Sequence, residues 1–153
     1  MELSKEKALK FLKLAKYFAN LFSKDTTKVG CIFIDKDNYS ILSCGYNGFI
    51  RGAPEPKERW ERPTKYDYVL HGEMNTITNA ARCGIKLENS IAFVTMFPCN
   101  DCMKALLQVG ISTLVSVEPN LTDSKWSDSF KISQIMIKES NLEVLLFRKE
   151  DIE

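Results

Sequence analysis

The sequence lacks most of what marks a membrane, secreted or nucleic-acid-binding protein. Net charge is nearly absent, since 21 lysines and arginines face 20 aspartates and glutamates across 153 residues, leaving +1. Such a chain has no overall field for gripping a phosphate backbone, so nucleic acid is not an expected partner. Long apolar runs are missing as well. Stretches such as Val144–Phe147 fall far below the ~18 residues of a membrane span, so no membrane partner is expected. The opening residues, Met1-Glu2-Leu3-Ser4-Lys5-Glu6-Lys7, hold no apolar stretch ending in a small-residue cleavage site, and a cytoplasmic, reducing setting is the expectation. There the cysteines Cys31, Cys44, Cys83, Cys99 and Cys102 form an odd set with no disulfide framework, which points to metal ligation or burial. No Gly/Ser-rich or Pro-rich linker and no internal repeat divides the chain, so residues 1–153 read as a single domain around one core.

What is present is an alternation of two periodicities. From Ser4 to Phe22 the apolar residues Phe11, Leu14, Ala15, Phe18, Leu21 and Phe22 recur at helical spacing, with lysines mostly on the other side, which predicts an amphipathic helix. Residues 29–35 and 40–46 are short β-prone runs around the turn-forming Lys36-Asp37-Asn38-Tyr39 and predict a hairpin. A polar, irregular stretch from Asn47 to Tyr68 follows, carrying Pro54, Pro56 and Pro63. Beyond it the pattern predicts a helix over 73–83 stopped by Gly84, a strand over 91–96, a helix over 99–109 stopped by Gly110, a strand over 113–117, a helix over 127–140 and a strand over 142–147. The order is α-β-β-α-β-α-β-α-β. An antiparallel opening hairpin followed by alternating strands and helices implies an α/β fold, a mixed sheet covered by helices.

The residues that carry chemistry lie in two short blocks. The one histidine, His71, stands two residues before a carboxylate in His71-Gly72-Glu73-Met74-Asn75. Downstream, Pro98-Cys99-Asn100-Asp101-Cys102 places two cysteines on one face of a helix's first turn, where unpaired N–H groups favour thiolates. Zinc prefers thiolate sulfur and imidazole nitrogen, so Cys99, Cys102 and His71 are the candidate metal ligands. His71 and Glu73 cannot share a helix face, because residues two apart point about 200° from each other. The conflict disappears if both sit at the helix entrance with the metal beyond its end. Three protein ligands leave a fourth position open to water, as in catalytic zinc sites, and Glu73 is the candidate general acid/base.

The combination H-x-E, then a strand, then P-C-x-x-C opening a helix resembles the zinc deaminases. Nearly the whole chain is similar to deoxycytidylate (dCMP) deaminases of the cytidine/deoxycytidylate deaminase superfamily. The similarity runs through Ser23-Lys24-Asp25 before Lys28-Val29-Gly30-Cys31, through Gly45-Tyr46-Asn47-Gly48, and through both blocks above. The resemblance implies a three-layer α/β/α fold with a five-stranded mixed sheet in the order 2-1-3-4-5. It implies zinc-dependent hydrolysis of dCMP to dUMP and ammonia, which supplies the precursor of thymidylate. It implies a homo-oligomer of six subunits or fewer and, in regulated relatives, dCTP and dTTP effectors bound near the Gly-Tyr-Asn-Gly turn. Asn47 matches an asparagine that contacts the sugar, and Lys24 falls in a segment near the nucleotide phosphate. One position departs from the family, which has alanine where this chain has Gly72.

Trp126, just after the predicted fourth strand, is a candidate pocket wall, and the loop around Trp60 is a candidate cover for the nucleotide or a subunit contact. Three alternatives remain at this point. One is deamination of another cytosine nucleotide such as dCTP. The second is an RNA or tRNA base deaminase with the same zinc chemistry. The third is a zinc-stabilised interaction module, which would need Cys31 or Cys44 as a fourth ligand.

Overall fold

The computed structural model describes residues 2–153. Helix α1 (Lys5–Phe22) begins where Ser4 accepts a hydrogen bond on Oγ from the Lys7 N–H at 3.1 Å, satisfying one of the unpaired amides of the first turn. Strands β1 (Gly30–Asp35) and β2 (Ile41–Tyr46) form the expected antiparallel hairpin. Then come a short 3-10 turn (Lys57–Trp60), α2 (Lys65–Tyr68), α3 (Gly72–Cys83), β3 (Ser90–Val94), α4 (Asn100–Gln108), β4 (Thr113–Val117), α5 (Ser127–Ser140) and β5 (Glu143–Phe147). A final 3-10 turn spans Lys149–Ile152. The strand order is β2-β1-β3-β4-β5, as the family resemblance implies. β1 runs antiparallel to β2 and β3, whereas β3, β4 and β5 are mutually parallel, each joined by a helix.

Alternation along the strands builds the three layers. In β1, Cys31 and Phe33 face one side with Ala92, Val94 and Leu114, where Ala80, Met103, Leu106 and Phe130 of α3, α4 and α5 cover them. Ile32 and Ile34 face the other side with Ile91, Phe93, Val115 and Val117, under Ala8, Leu12 and Ala15 of α1. Helix α1 lies very close to the sheet. A Cβ on Gly30 would stand 2.0 Å from the carbonyl oxygen of Ala15, so only glycine fits that crossing.

Three expectations need correction. The buried stripe of α1 is Ala8, Leu12, Ala15 and Ala19, while Leu14, Leu21 and Phe22 are about half exposed. Small side chains win this face because they permit the close approach at Gly30. The stretch from Asn47 to Tyr68 is not wholly irregular, since it holds the 3-10 turn and α2 and is clasped by a bridge between Gly48 and Leu70. Cys83 is exposed rather than buried, whereas Cys31 is fully buried. Among the described residues no helix is long and apolar enough to cross a membrane.

Candidate metal centre and active-site cleft

The cleft forms beyond the carboxyl end of β3, where parallel α/β sheets gather ligand-contacting groups. Two helix entrances meet there. His71 is the N-cap residue of α3 and Cys99 the N-cap residue of α4, with Cys102 one turn into α4. Extended backbone at each cap (ψ 151° and 167°) turns the side chains away from the helix bodies and toward each other. The Nδ1 atom of His71 lies 3.5 Å from the Cys99 sulfur and 3.4 Å from the Cys102 sulfur. All three donor atoms fall within 4.8 Å of one another.

These spacings fit zinc. With Zn–S of about 2.3 Å and Zn–N of about 2.0 Å at tetrahedral angles, a sulfur and a nitrogen on one ion are roughly 3.5 Å apart. Charge is arranged accordingly. Cys99 is held well below the ordinary thiol range, first by hydrogen bonding from Cys102 and then by His71, while the thiol of Cys102 is pushed up by sharing its proton with Cys99. His71 is raised chiefly by its hydrogen bond with Cys99. The three side chains thus hold a thiolate and shared protons that a divalent cation can replace.

Glu73 lines the same cleft and stands outside the donor group. It is 4% exposed, and burial pushes its carboxyl up to about 7. A carboxyl in that range can both take up and release a proton near neutrality. His71 is the cap residue of α3 and Glu73 its second helical residue, and both line the cleft. Gly72 between them is packed tightly, because a Cβ there would stand 2.7 Å from the carbonyl oxygen of Val29. The departure from the usual alanine is thus tied to how closely α3 meets the chain before β1.

The cleft, about 680 Å³ with its open mouth, has an apolar floor of Val29, Met96, Phe97 and Phe130. Trp126 forms a wall, its ring edge-on to His71 at 5.8 Å between centroids, and Tyr66 packs on Trp126 at 6.3 Å.

The profile of the cytidine and deoxycytidylate deaminase zinc-binding region matches residues 5–118. This chain belongs to the cytidine and deoxycytidylate deaminase family. A probable deoxycytidylate deaminase of Caenorhabditis elegans is 42% identical over 118 residues, 74% of this chain and 58% of that protein. The chain thus spans well under two thirds of that relative's length. A deaminase of Aliivibrio fischeri is 34% identical over 140 residues, 90% of each chain. The crystal structure of dCMP deaminase from the cyanophage S-TIM5, in complex with dCMP and dUMP, superposes with a TM-score of 0.74 at 25% identity, covering 95% of this chain and 100% of that one.

Zinc is therefore the metal for which this chain's donor set is built. Cys31 and Cys44 lie outside the donor group, which removes the fourth ligand that a purely structural zinc module would need. Other residues are placed less as the resemblance implies. Asn47 lines the cleft, but its amide is fully engaged. Oδ1 accepts from the Val29 N–H and the Ser23 hydroxyl, each at 2.9 Å, and Nδ2 donates to Asp25 at 3.1 Å and to the Thr27 carbonyl at 2.7 Å. Lys24 is not brought to the cleft at all. It lines a second hollow beside β2 and its ammonium is bonded to Glu55 at 2.5 Å.

Two basic residues that the sequence reading passed over line the cleft. Lys65 is buried and paired with Asp25 at 2.7 Å, and Arg62 lies at the mouth. The available signal was Arg62-Pro63-Thr64-Lys65-Tyr66, two cations and an aromatic residue shortly before His71 in an otherwise irregular stretch. Trp60 does not cover the cleft; it stacks on Phe49 at 4.2 Å in the second hollow.

Proposed function

We propose that this chain is a single deaminase domain that hydrolyses the 4-amino group of dCMP, giving dUMP and ammonia. In this reading His71, Cys99 and Cys102 hold the zinc and Glu73 is the proton carrier. The observation that carries it is the grouping of one imidazole and two thiols at zinc spacing beside a buried carboxylate that is not one of the donors. The names of the Caenorhabditis elegans and cyanophage relatives support the substrate.

When bound, zinc supplies the Lewis acidity that makes water a nucleophile near neutral pH. The rest is the work of side chains. Glu73 takes a proton from the attacking water and delivers it to N3 of the cytosine ring as the C4–O bond forms. It then takes the second proton from the new C4 hydroxyl and passes it to the amino nitrogen, so that the C4–N bond breaks, ammonia leaves and C4 keeps the oxygen as a carbonyl. Val29, Phe97 and Trp126 present apolar surface to the base and keep stray water from the reacting carbon. Asn47 acts through position: its four hydrogen bonds fix residues 23–29 against the β2 end, and with them one wall of the cleft.

A homo-oligomer of six subunits or fewer with dCTP and dTTP effectors belongs to the same reading. It is supported by the second hollow, where Lys24, Arg51 and Arg82 surround the half-exposed Phe22 and the partly buried Tyr46. The unpaired state of all five cysteines supports a cytoplasmic setting. The test is a substrate panel of dCMP, dCTP, CMP and deoxycytidine, followed by loss of cytosine absorbance. The expected order puts dCMP first; faster turnover of dCTP, CMP or deoxycytidine would overturn the substrate assignment.

A further inference from the structure

We propose that Arg62, held at the cleft mouth by Tyr66 and Thr27, receives the 5′-phosphate of the nucleotide substrate; the inference rests on the dCMP reading above.

Two basic side chains besides His71 line the cleft, Arg62 and Lys65. Lys65 is neutralised by Asp25 at 2.7 Å, both side chains being about 95% buried, so its charge is already spent inside the protein. Arg62 enters no ion pair among the described residues. Its partners are neutral oxygens: Nε donates to the Tyr66 hydroxyl at 2.9 Å and one terminal nitrogen to the Thr27 hydroxyl at 3.4 Å. These bonds orient the guanidinium without cancelling its charge. A guanidinium has five N–H donors in a fixed fork, so several remain for a planar, bidentate grip on phosphate oxygens.

Placement agrees with a nucleotide's layout. His71 marks the reacting end, Trp126 packs on His71, Tyr66 packs on Trp126, and Arg62 is hung on the Tyr66 hydroxyl. The cation therefore stands two rings out from the imidazole, in the lining of the same cleft. On the aromatic residue that holds Arg62, the Lys125 ammonium lies 4.0 Å from the Tyr66 ring centroid. Lys24, by contrast, lines the other hollow and is bound to Glu55.

The experiment compares zinc-loaded wild type, Arg62→Ala, Arg62→Lys and Lys24→Ala on dCMP and on deoxycytidine, with dUMP and deoxyuridine affinities measured by calorimetry. Arg62→Ala is expected to lower kcat/KM for dCMP roughly 10- to 150-fold, the scale of a lost charge-assisted hydrogen bond, and Arg62→Lys by less. Residual deoxycytidine turnover and deoxyuridine affinity should stay within about twofold, because a phosphate contact is lost only by ligands that own a phosphate. dUMP affinity should fall along with dCMP turnover. Equal losses on both substrates would make Arg62 a folding residue, and a loss confined to Lys24→Ala would move the phosphate elsewhere; either overturns the proposal while leaving the dCMP reading intact. A wild-type preference for deoxycytidine over dCMP would instead remove the reading on which it rests.

Discussion

Breaking the buried pair between Lys65 and Asp25 should damage this protein in an unequal and calculable way. The side chains are 5% and 4% exposed and meet at 2.7 Å, so removing one strands a charge away from water, at a cost of about 3–5 kcal/mol. After Lys65→Met the Asp25 carboxylate still accepts from Asn47 Nδ2 at 3.1 Å, and more weakly from Thr26 Oγ1 at 3.3 Å and the Thr27 N–H at 3.4 Å. That variant belongs at the lower end, about 3 kcal/mol. Asp25→Asn leaves a buried ammonium facing a neutral amide and can set one NH2 group against another at Asn47, which places it near the upper end, about 5 kcal/mol. At ~2–4 °C per kcal/mol for a chain of this size, the melting temperatures should fall by about 6–12 °C and 10–20 °C. The double variant removes both charges and should cost clearly less than the two single losses combined. Urea unfolding of the zinc-loaded proteins, followed by circular dichroism, measures all three. Single losses below ~1 kcal/mol, the scale of an exposed pair, or strict additivity would refute the reasoning. Because the pair ties α2 to residues 23–29, KM for dCMP should rise in both single variants.

Cys99→Ala should lose zinc and also stability, since metal binding and folding are coupled; full zinc occupancy by metal analysis would contradict the ligand assignment. Gly30→Ala places a Cβ 2.0 Å from the Ala15 carbonyl oxygen, backbone against backbone, and should cost about 2 kcal/mol or more in a chemical melt. Wild-type stability there would show that α1 is free to lift from β1.

Much of this was legible in the sequence, for particular reasons. Strands β1, β4 and β5 and helices α3 and α5 follow from local periodicity and from stop signals such as Gly84, which takes the left-handed conformation at the end of α3 (φ 70°). The candidate metal site was legible because its three donor residues sit in two short blocks whose spacing suits one ion. What was hidden depends on contacts distant in sequence. Lys65 meets Asp25 from 40 residues away, and nothing local distinguishes Lys65 from the exposed lysines around it. Lys24 looked like the phosphate residue because the family resemblance puts the Ser23-Lys24-Asp25 segment near the phosphate, yet the neighbouring side chains of Lys24 and Asp25 line different hollows. The face of α1 was misread because Ala8, Leu12, Ala15 and Ala19 and the more apolar Leu14, Phe18 and Leu21 both recur at helical spacing. The choice between them is made by the tight crossing at Gly30 and not by hydrophobicity.

The central claim is that Glu73 moves protons while His71, Cys99 and Cys102 hold the metal. A paired determination of zinc content and dCMP turnover on one preparation of Glu73→Gln tests it most directly. The account predicts one zinc per chain and an unchanged fold, with kcat reduced by more than ~10²-fold, because a single acid/base group serves several proton transfers in the cycle. Near-normal turnover with full zinc would assign the proton work to another residue, and loss of zinc with the activity would make Glu73 part of the metal's own ligand set.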